Sequence, residues 1–184
     1  MRQLAGILLM LVVVGVFIVS VQNRGADEKT QQAAKQERGE AIIQIEEIID
    51  TSYPSAPVEV VEAHSELMKI LYGNRSALTD EMLEDYVRTI RKLYSTNFLN
   101  LNPHEKQLES LKTEMSDIQS SKMKLLTNET KEIYIIKDET GKETRAEINV
   151  NHVTSQASII RTYYLVKESG MWKINSWKDI ETIE

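Results

Sequence analysis

The sequence predicts an α+β domain that follows an N-terminal membrane-spanning helix. Apolar residues recur at helical spacing between residues 42 and 118, whereas beyond residue 123 they alternate with polar ones, as in strands. A long uncharged apolar run stands near the N-terminus. Helices first and strands second indicate three helices packed on one face of a curved, four-stranded antiparallel sheet. We divide the chain into an anchor (1–24), a polar spacer with an amphipathic helix (25–52) and the α+β domain (53–184).

Composition excludes several classes of function. A chain of 184 residues has room for one domain and an anchor. Arg2 and Arg24 are the only charged residues among the first 24, so 20 basic and 28 acidic residues follow them. That acidic surplus repels phosphate backbones and argues against a nucleic-acid partner. The absence of cysteine excludes disulfides, thiol nucleophiles and thiolate metal sites.

The apolar run Leu4–Val21 predicts a membrane anchor. Its residues rise about 27 Å as a helix, close to the ~30 Å hydrocarbon thickness of a bilayer. Arg2 before it favours a cytoplasmic N-terminus, which places the rest of a single-pass chain outside the cell membrane. The alternative is a cleaved signal peptide, but Ser20 with Ile18 two positions before it is a poor cleavage site. Either alternative exports the C-terminal domain.

The residues between the anchor and the domain predict a stalk and a helix. Gly25–Glu40 is polar and indicates a solvated spacer or a loosely helical stalk. Ile42, Ile45 and Ile49 then recur at helical spacing until Tyr53-Pro54 ends the pattern. We expect this apolar stripe to dock on the domain; the alternative is self-association.

Three amphipathic helices are predicted next. The first begins near Ser55 and Pro57, the second at the capping residue Thr79, and the third at Asn102-Pro103. The second helix has the clearest apolar stripe, which consists of Met82, Leu83, Tyr86, Val87, Ile90, Leu93 and Tyr94.

Four strands are predicted after residue 123. Turns are expected at Asp138–Gly141 and Glu168–Gly170. Ala146, Ile148 and Val150 form the expected inward face of the second strand. In the third strand, Ile160, Thr162, Tyr164 and Val166 alternate with their neighbours.

The last two strands carry a family resemblance. The segment TYYLVKESGMWKIN, residues 162–175, joins an aromatic-rich strand to Trp-Lys-Ile through a glycine turn. With three preceding helices, it resembles the cone-shaped, cystatin-like fold of the nuclear transport factor 2 and ketosteroid isomerase superfamily. The resemblance covers roughly Tyr53 to the C-terminus. Together with Leu4–Val21 and Asn102-Pro103, it also resembles an uncharacterised family of membrane-anchored proteins of Gram-positive bacteria.

The resemblance implies a cone whose lining could bind a ligand. The candidate lining residues are His64, Tyr86, Tyr134, Tyr164 and Trp172. Isomerases and dehydratases of the superfamily imply an inward acid or base, whereas its transport factors and assembly modules imply none, so the fold alone does not decide the function.

The residues themselves argue against catalysis. An isomerase-like site needs a buried Asp or His near Tyr donors. Because Ala146, Ile148 and Val150 are expected to face inward, Glu147 between them should face outward. In the third strand, Thr162 and Tyr164 could face the cone, joined by Tyr134 or Tyr163, but such tyrosines are usually core residues.

The histidines give no clear catalytic or metal site either. His64 falls on an apolar helix stripe, where a hydrogen-bonded core histidine is the commoner case and a catalytic base the alternative. His104 is expected in a first helical turn and His152 at a strand end. We therefore predict no catalytic residues, no metal and no cofactor.

These observations favour a non-enzymatic, membrane-anchored module that contacts a protein or a small ligand. The expected partners are the lipid bilayer through Leu4–Val21 and a protein or a second copy through the sheet face. The alternative is a small-molecule isomerase or dehydratase that uses the cone cavity, with His64 or a strand carboxylate as base. A deep cavity holding an ionisable group would favour the enzyme.

Overall fold

The computed structural model of the chain describes residues 32–72, 78–121 and 124–183. Two compact units divide the chain, Met1–Glu37 and Arg38–Glu184. In the first unit the described residues, 32–37, are helical. The predicted anchor Leu4–Val21 lies outside the described residues. None of the helices in the described ranges has a stretch long and apolar enough to cross a membrane.

The second unit has an α+β architecture, as predicted. Helix α1 covers residues 38–51 and is followed by four helices and four strands. The further helices are α2 Pro57–Tyr72, α3 Asp80–Arg91, α4 Thr96–Leu101 and α5 His104–Ser121. The strands are β1 Leu125–Lys137, β2 Glu143–Thr154, β3 Ser158–Glu168 and β4 Met171–Ile183.

Helix α1 docks on the domain through its apolar stripe. Ile42 and Ile49 are buried in the core, whereas Ile43 and Ile48 on the other side of the helix are more than half exposed. The Glu46 carboxylate also accepts two hydrogen bonds from the α3 guanidinium of Arg88, at 3.0 and 2.8 Å. The expectation that this stripe packs against the domain is confirmed.

Helix α3 ends at Arg91, although its apolar stripe continues through Leu93 and Tyr94. The chain leaves the helix there because it pairs with β4: the Ile174 N–H donates to the Leu93 carbonyl at 2.8 Å. Both stripe residues stay buried. Ser95 then caps α4, a helix absent from the prediction of three helices after residue 53, which was wrong in this respect.

The four strands form one antiparallel meander in the order β1-β2-β3-β4, as predicted. The two predicted turns lie where expected. Gly141 and Gly170 have φ values of 80° and 87°, and Ser169 has a φ of 50°. Glycine adopts this left-handed region without the steric cost that a Cβ brings, so the turn positions suit the residues.

The inward face of β2 is the predicted one. Ala146, Ile148 and Val150 are each at most 1% exposed and face the core, while Glu147 between them is half-buried. The helices cover this face: α2 contacts β1, β2 and β4, and α3 packs against α5. The core therefore lies between the helices and one face of the sheet.

The inward face of β3 differs from the prediction. Ile148 pairs with Tyr163, so Tyr163 and Leu165 share the helix-facing side of the sheet and are buried. Thr162 and Tyr164, which were candidates for the cone-facing side, lie on the opposite side of the sheet. Because side chains alternate strictly along a strand, the cross-strand register decides which of two similar sets is buried.

Candidate functional site

A cavity of about 220 Å³ lies between the helices and the sheet. A second cavity of about 310 Å³ adjoins it and shares five wall residues, namely Met68, Tyr72, Glu114, Arg161 and Trp177. The remaining wall of the first cavity comes from α2, α3, α4, α5 and the segments between them. It includes His64, Tyr86, Val87, Ile90, Tyr94, Phe98, Asn102, Lys106, Gln107, Ser110 and Leu111.

Aromatic rings form much of the wall of the first cavity. The ring centroids of Trp177 and Phe98 are 5.1 Å apart, and those of Tyr94 and Phe98 are 4.5 Å apart. Tyr94 and Trp177 are separated by 5.9 Å. These distances lie in the range of favourable ring contacts, so this part of the wall is apolar and held in place by its own packing.

A chain of buried hydrogen bonds runs behind this wall. His64 lies between two phenols, with Nε2 at 3.2 Å from the Tyr94 hydroxyl and Nδ1 at 3.4 Å from that of Tyr163. The Tyr163 hydroxyl is also 3.1 Å from His152 Nε2. His152 Nδ1 lies 2.6 Å from Asn128 Oδ1. Five side chains from α2, the α3–α4 segment and three strands are therefore joined.

The direction of each hydrogen bond in this series follows from the one that Asn128 forms at its end. The Asn128 amide nitrogen donates to the Ser65 carbonyl at 3.3 Å, which leaves its Oδ1 as an acceptor. His152 Nδ1 must therefore carry a proton, so in the neutral ring Nε2 accepts from the Tyr163 hydroxyl.

The same reasoning continues toward the cavity. Because the Tyr163 proton is given to His152, the Tyr163 oxygen accepts from His64 Nδ1–H. Met68 Sδ, 3.6 Å from that hydroxyl, is a weaker competing acceptor. His64 Nε2 is then an acceptor, and the Tyr94 hydroxyl donates to it.

Burial keeps both histidines neutral. Desolvation, assisted by the positive charge of Arg161, lowers the pKa of His64 to about 3 and that of His152 to about 4. Burial also raises the pKa of Tyr163 to about 12, although Arg161 opposes the shift. Every member of the chain is thus uncharged near neutral pH. Since both ring nitrogens of each histidine are already bonded, neither is free to act as a general base.

Three charged residues belong to the cavity wall: Arg161, Glu114 and the exposed Lys106. Arg161 donates to both oxygens of Asp179, at 2.6 and 3.1 Å, and its guanidinium lies 5.8 Å from the Trp177 ring centroid. Although burial opposes its charge, hydrogen bonding to Asp179 raises its pKa. On the α5 side, the Tyr72 hydroxyl donates to the Glu114 carboxylate at 2.8 Å.

The five candidate lining residues are not brought together. His64 and Tyr86 line the first cavity, and His64 is the hydrogen-bonded core residue that its helix position favoured. Tyr134 is 53% exposed on β1. Tyr164 lines a different cavity. Trp172 is buried in the core, where its carbonyl accepts from the Tyr53 hydroxyl.

Sequence reasoning did not select most of the wall residues, such as Phe98 and Glu114. Of the four strand residues that it missed in the wall and the hydrogen-bond chain, two had a signal. His152 continues the alternation of Ala146, Ile148 and Val150 and is 3% exposed, so it belongs to the same inward face. Arg161 is two residues before the buried Tyr163 on β3, so the same alternation places it on the inward face.

The other two had no such signal. Trp177 faces the cavity because β4 has one extra residue opposite Tyr164 and Leu165. This bulge places Trp177 on the same side of the sheet as Ile174, although the two are three residues apart. Asn128 lies on β1, whose alternation continues mostly through exposed residues.

In the described residues, no group of three or more His, Asp or Glu side chains is placed to hold a metal ion.

Comparisons with known proteins give one family. The family model of a domain of unknown function, DUF6715, matches residues 2–177. Among the curated proteins and the solved structures, no chain matches this one.

Proposed function

The chain belongs to the DUF6715 family of domains of unknown function, and from its cavity we propose that its domain is a non-enzymatic module that binds a small ligand. One observation supports this most: a cavity of about 220 Å³ has an aromatic wall, and the histidines in and behind that wall have both ring nitrogens bonded to neutral groups. Such a site holds a molecule by shape and apolar contact, and neither histidine is a free base.

The rival function is an isomerase or dehydratase that uses the same cavity. His64 lies within 3.4 Å of two phenols, an arrangement that could orient a substrate oxygen. Against it, a histidine that donates at one nitrogen and accepts at the other must break a bond before it takes a proton. That cost favours binding over turnover.

A cavity-blocking pair of variants tests the proposal. Ser110 lies on the cavity wall at an exposed position of α5, and Thr113 is exposed on the same helix outside the wall. We expect Ser110→Trp to obstruct the cavity and Thr113→Trp to leave it open. A diverse small-molecule library is screened by thermal unfolding of the full chain in a non-ionic detergent.

The outcomes separate the two functions. Binding predicts compounds that raise the melting temperature of the wild type by a few degrees, in Thr113→Trp as well but not in Ser110→Trp. The absence of any stabilising compound would refute ligand binding. Chemical conversion of a stabilising compound, detected by mass spectrometry, would favour the enzyme.

We also propose that the module is anchored in the cell membrane, with its N-terminus in the cytoplasm and residues 53–184 outside. The support is the uncharged run Leu4–Val21 with Arg2 before it. The test is protease added to intact protoplasts, which should degrade the C-terminal domain. Full protection of that domain would contradict the proposed orientation.

A protein contact through the sheet is a second proposal, supported by one feature of β1. This strand is at the edge of the sheet, and its residues 133–136 are all apolar and more than two-fifths exposed. Exposed apolar edge strands readily pair with another strand. Light scattering on the full chain in detergent should give a dimer that Ile135→Lys dissociates. A monomeric wild type would exclude self-association through this edge.

A further inference from the structure

The hydrogen-bond directions leave the Tyr94 oxygen as an acceptor toward the cavity. Its single proton is donated to His64 Nε2, because the Ser65 carbonyl sets the direction of every hydrogen bond from Asn128 to Tyr94. A phenol oxygen that has given away its proton can only accept a further hydrogen bond. A ligand atom facing Tyr94 must therefore be a donor.

The opposite wall has the same polarity. The Tyr72 hydroxyl gives its proton to Glu114 Oε1, so the Tyr72 oxygen is also left as an acceptor. The Glu114 carboxylate accepts that one bond and forms no ion pair with a cation in the part of the chain that the structure describes. The residue is exposed, and its remaining hydrogen-bonding capacity is for donors.

Tyr86 adds a polar group that has no protein partner. It is 4% exposed and lines the cavity, and its hydroxyl makes no hydrogen bond with any described residue. Burial raises its pKa well above the ordinary value, with the Tyr72 and Tyr94 phenols and the Glu114 carboxylate adding to the effect. This hydroxyl is not fully enclosed by protein atoms, so it is open to the cavity, where water or a ligand can form a hydrogen bond with it.

The two cations on the wall do not reverse this polarity. Arg161 donates to both oxygens of Asp179, which balances its charge, and it also forms a hydrogen bond with the Tyr163 hydroxyl behind the wall. Its guanidinium lies beside the Trp177 ring. Lys106 and Glu114 are both exposed, so water and salt screen the two charges alike, but only Glu114 is hydrogen-bonded to one of the phenols. The charged group in direct contact with a phenol of the wall is therefore the Glu114 carboxylate.

We infer that the cavity binds a small organic cation, an ammonium group attached to an apolar or aromatic body. The ammonium donates to the acceptor oxygens of Tyr72, Tyr94 and Glu114, and the body packs on the rings of Phe98 and Trp177. Aromatic walls attract cations as well as apolar groups, so they suit both ends of such a molecule. This inference rests on the proposed ligand-binding function and adds the chemical class.

Three probes that share a phenyl ring and differ in charge test the class. Phenethylammonium is cationic, phenylacetate is anionic and 2-phenylethanol is neutral at pH 7. Isothermal titration of the full chain in a non-ionic detergent gives the three dissociation constants. We expect phenethylammonium to bind at least about tenfold more tightly than the other two, and high salt to reduce the difference.

Two glutamine variants on α5 locate the charge. Glu114→Gln should weaken phenethylammonium binding by about tenfold and leave 2-phenylethanol unchanged. Glu109→Gln changes an exposed carboxylate on the same helix outside the wall and should leave all three constants unchanged.

The alternative outcomes are distinct. Equal or tighter binding of phenylacetate or 2-phenylethanol would overturn the cation class while the ligand-binding function stands. Loss of cation binding in Glu109→Gln to the same extent as in Glu114→Gln would overturn the location. Binding of none of the probes would also overturn the inference, and the library screen with Ser110→Trp would decide the binding function separately.

Discussion

Removal of one hydroxyl should reveal the energy of the buried hydrogen-bond chain. Tyr163 is fully buried, and its hydroxyl accepts from His64 Nδ1 and donates to His152 Nε2. Tyr163→Phe keeps the ring and deletes only the oxygen. A buried donor on His64 and a buried acceptor on His152 then lose their partner, at about 1–3 kcal/mol each, or about 3 kcal/mol together.

Tyr86→Phe is the matched control for this change. Tyr86 is also buried, and its hydroxyl has no hydrogen-bond partner among the described residues, so the same deletion should cost less than about 0.5 kcal/mol. Urea unfolding of the ligand-free full chain, followed by circular dichroism, gives both free energies of unfolding from the midpoints and slopes.

Equal losses of unfolding free energy in the two variants would refute the assigned hydrogen-bond chain. A loss below about 1 kcal/mol in Tyr163→Phe would mean that the histidines find other partners or are not bonded as described. A larger loss of unfolding free energy in Tyr86→Phe than in Tyr163→Phe would mean that the Tyr86 hydroxyl has a protein partner. That hydroxyl would then not point into the cavity.

Three further predictions follow from burial and charge. His64 and His152 have folded pKa values of about 3 and about 4, below the unfolded value of about 6.5, so their stabilisation is complete above pH 6.5 and decreases as the pH falls. Urea unfolding should show a loss of about 4 kcal/mol between pH 7.5 and pH 5, and a flat profile would contradict neutral burial. Ile42→Ala should cost about 2–4 kcal/mol and Ile48→Ala almost nothing, because only the first is buried; equal effects would contradict the docking of α1. Deletion of residues 1–24 should move the chain from the membrane fraction to the soluble fraction, and a full chain that is already soluble after lysis would disprove the anchor.

Local patterns were sufficient for the elements of the fold. The alternation of Ala146, Ile148 and Val150 predicted their burial, and the glycines of both hairpin turns marked the strand ends. The stripe of α1 predicted its docking. Such features depend on side-chain period and on backbone conformations that neighbouring residues impose, so they can be read without the rest of the molecule.

The helix boundaries were harder to predict because tertiary pairing competes with local preference. Leu93 and Tyr94 continue the α3 stripe, yet they leave the helix to pair with Ile174 of β4. Both arrangements bury the same apolar side chains. The choice between them depends on a strand that lies about 80 residues later, which no local pattern contains.

The sequence by itself determined the fold class, the order of the strands, the inward face of β2 and the place of His64 in the core. Tertiary structure alone decided which side chains meet at the cavity. The register of β2 with β3 turned Tyr163 inward, and a bulge gave Trp177 the same direction. Each of these choices is a one-residue shift that exchanges the two faces of a strand, and only contacts between distant segments distinguish them.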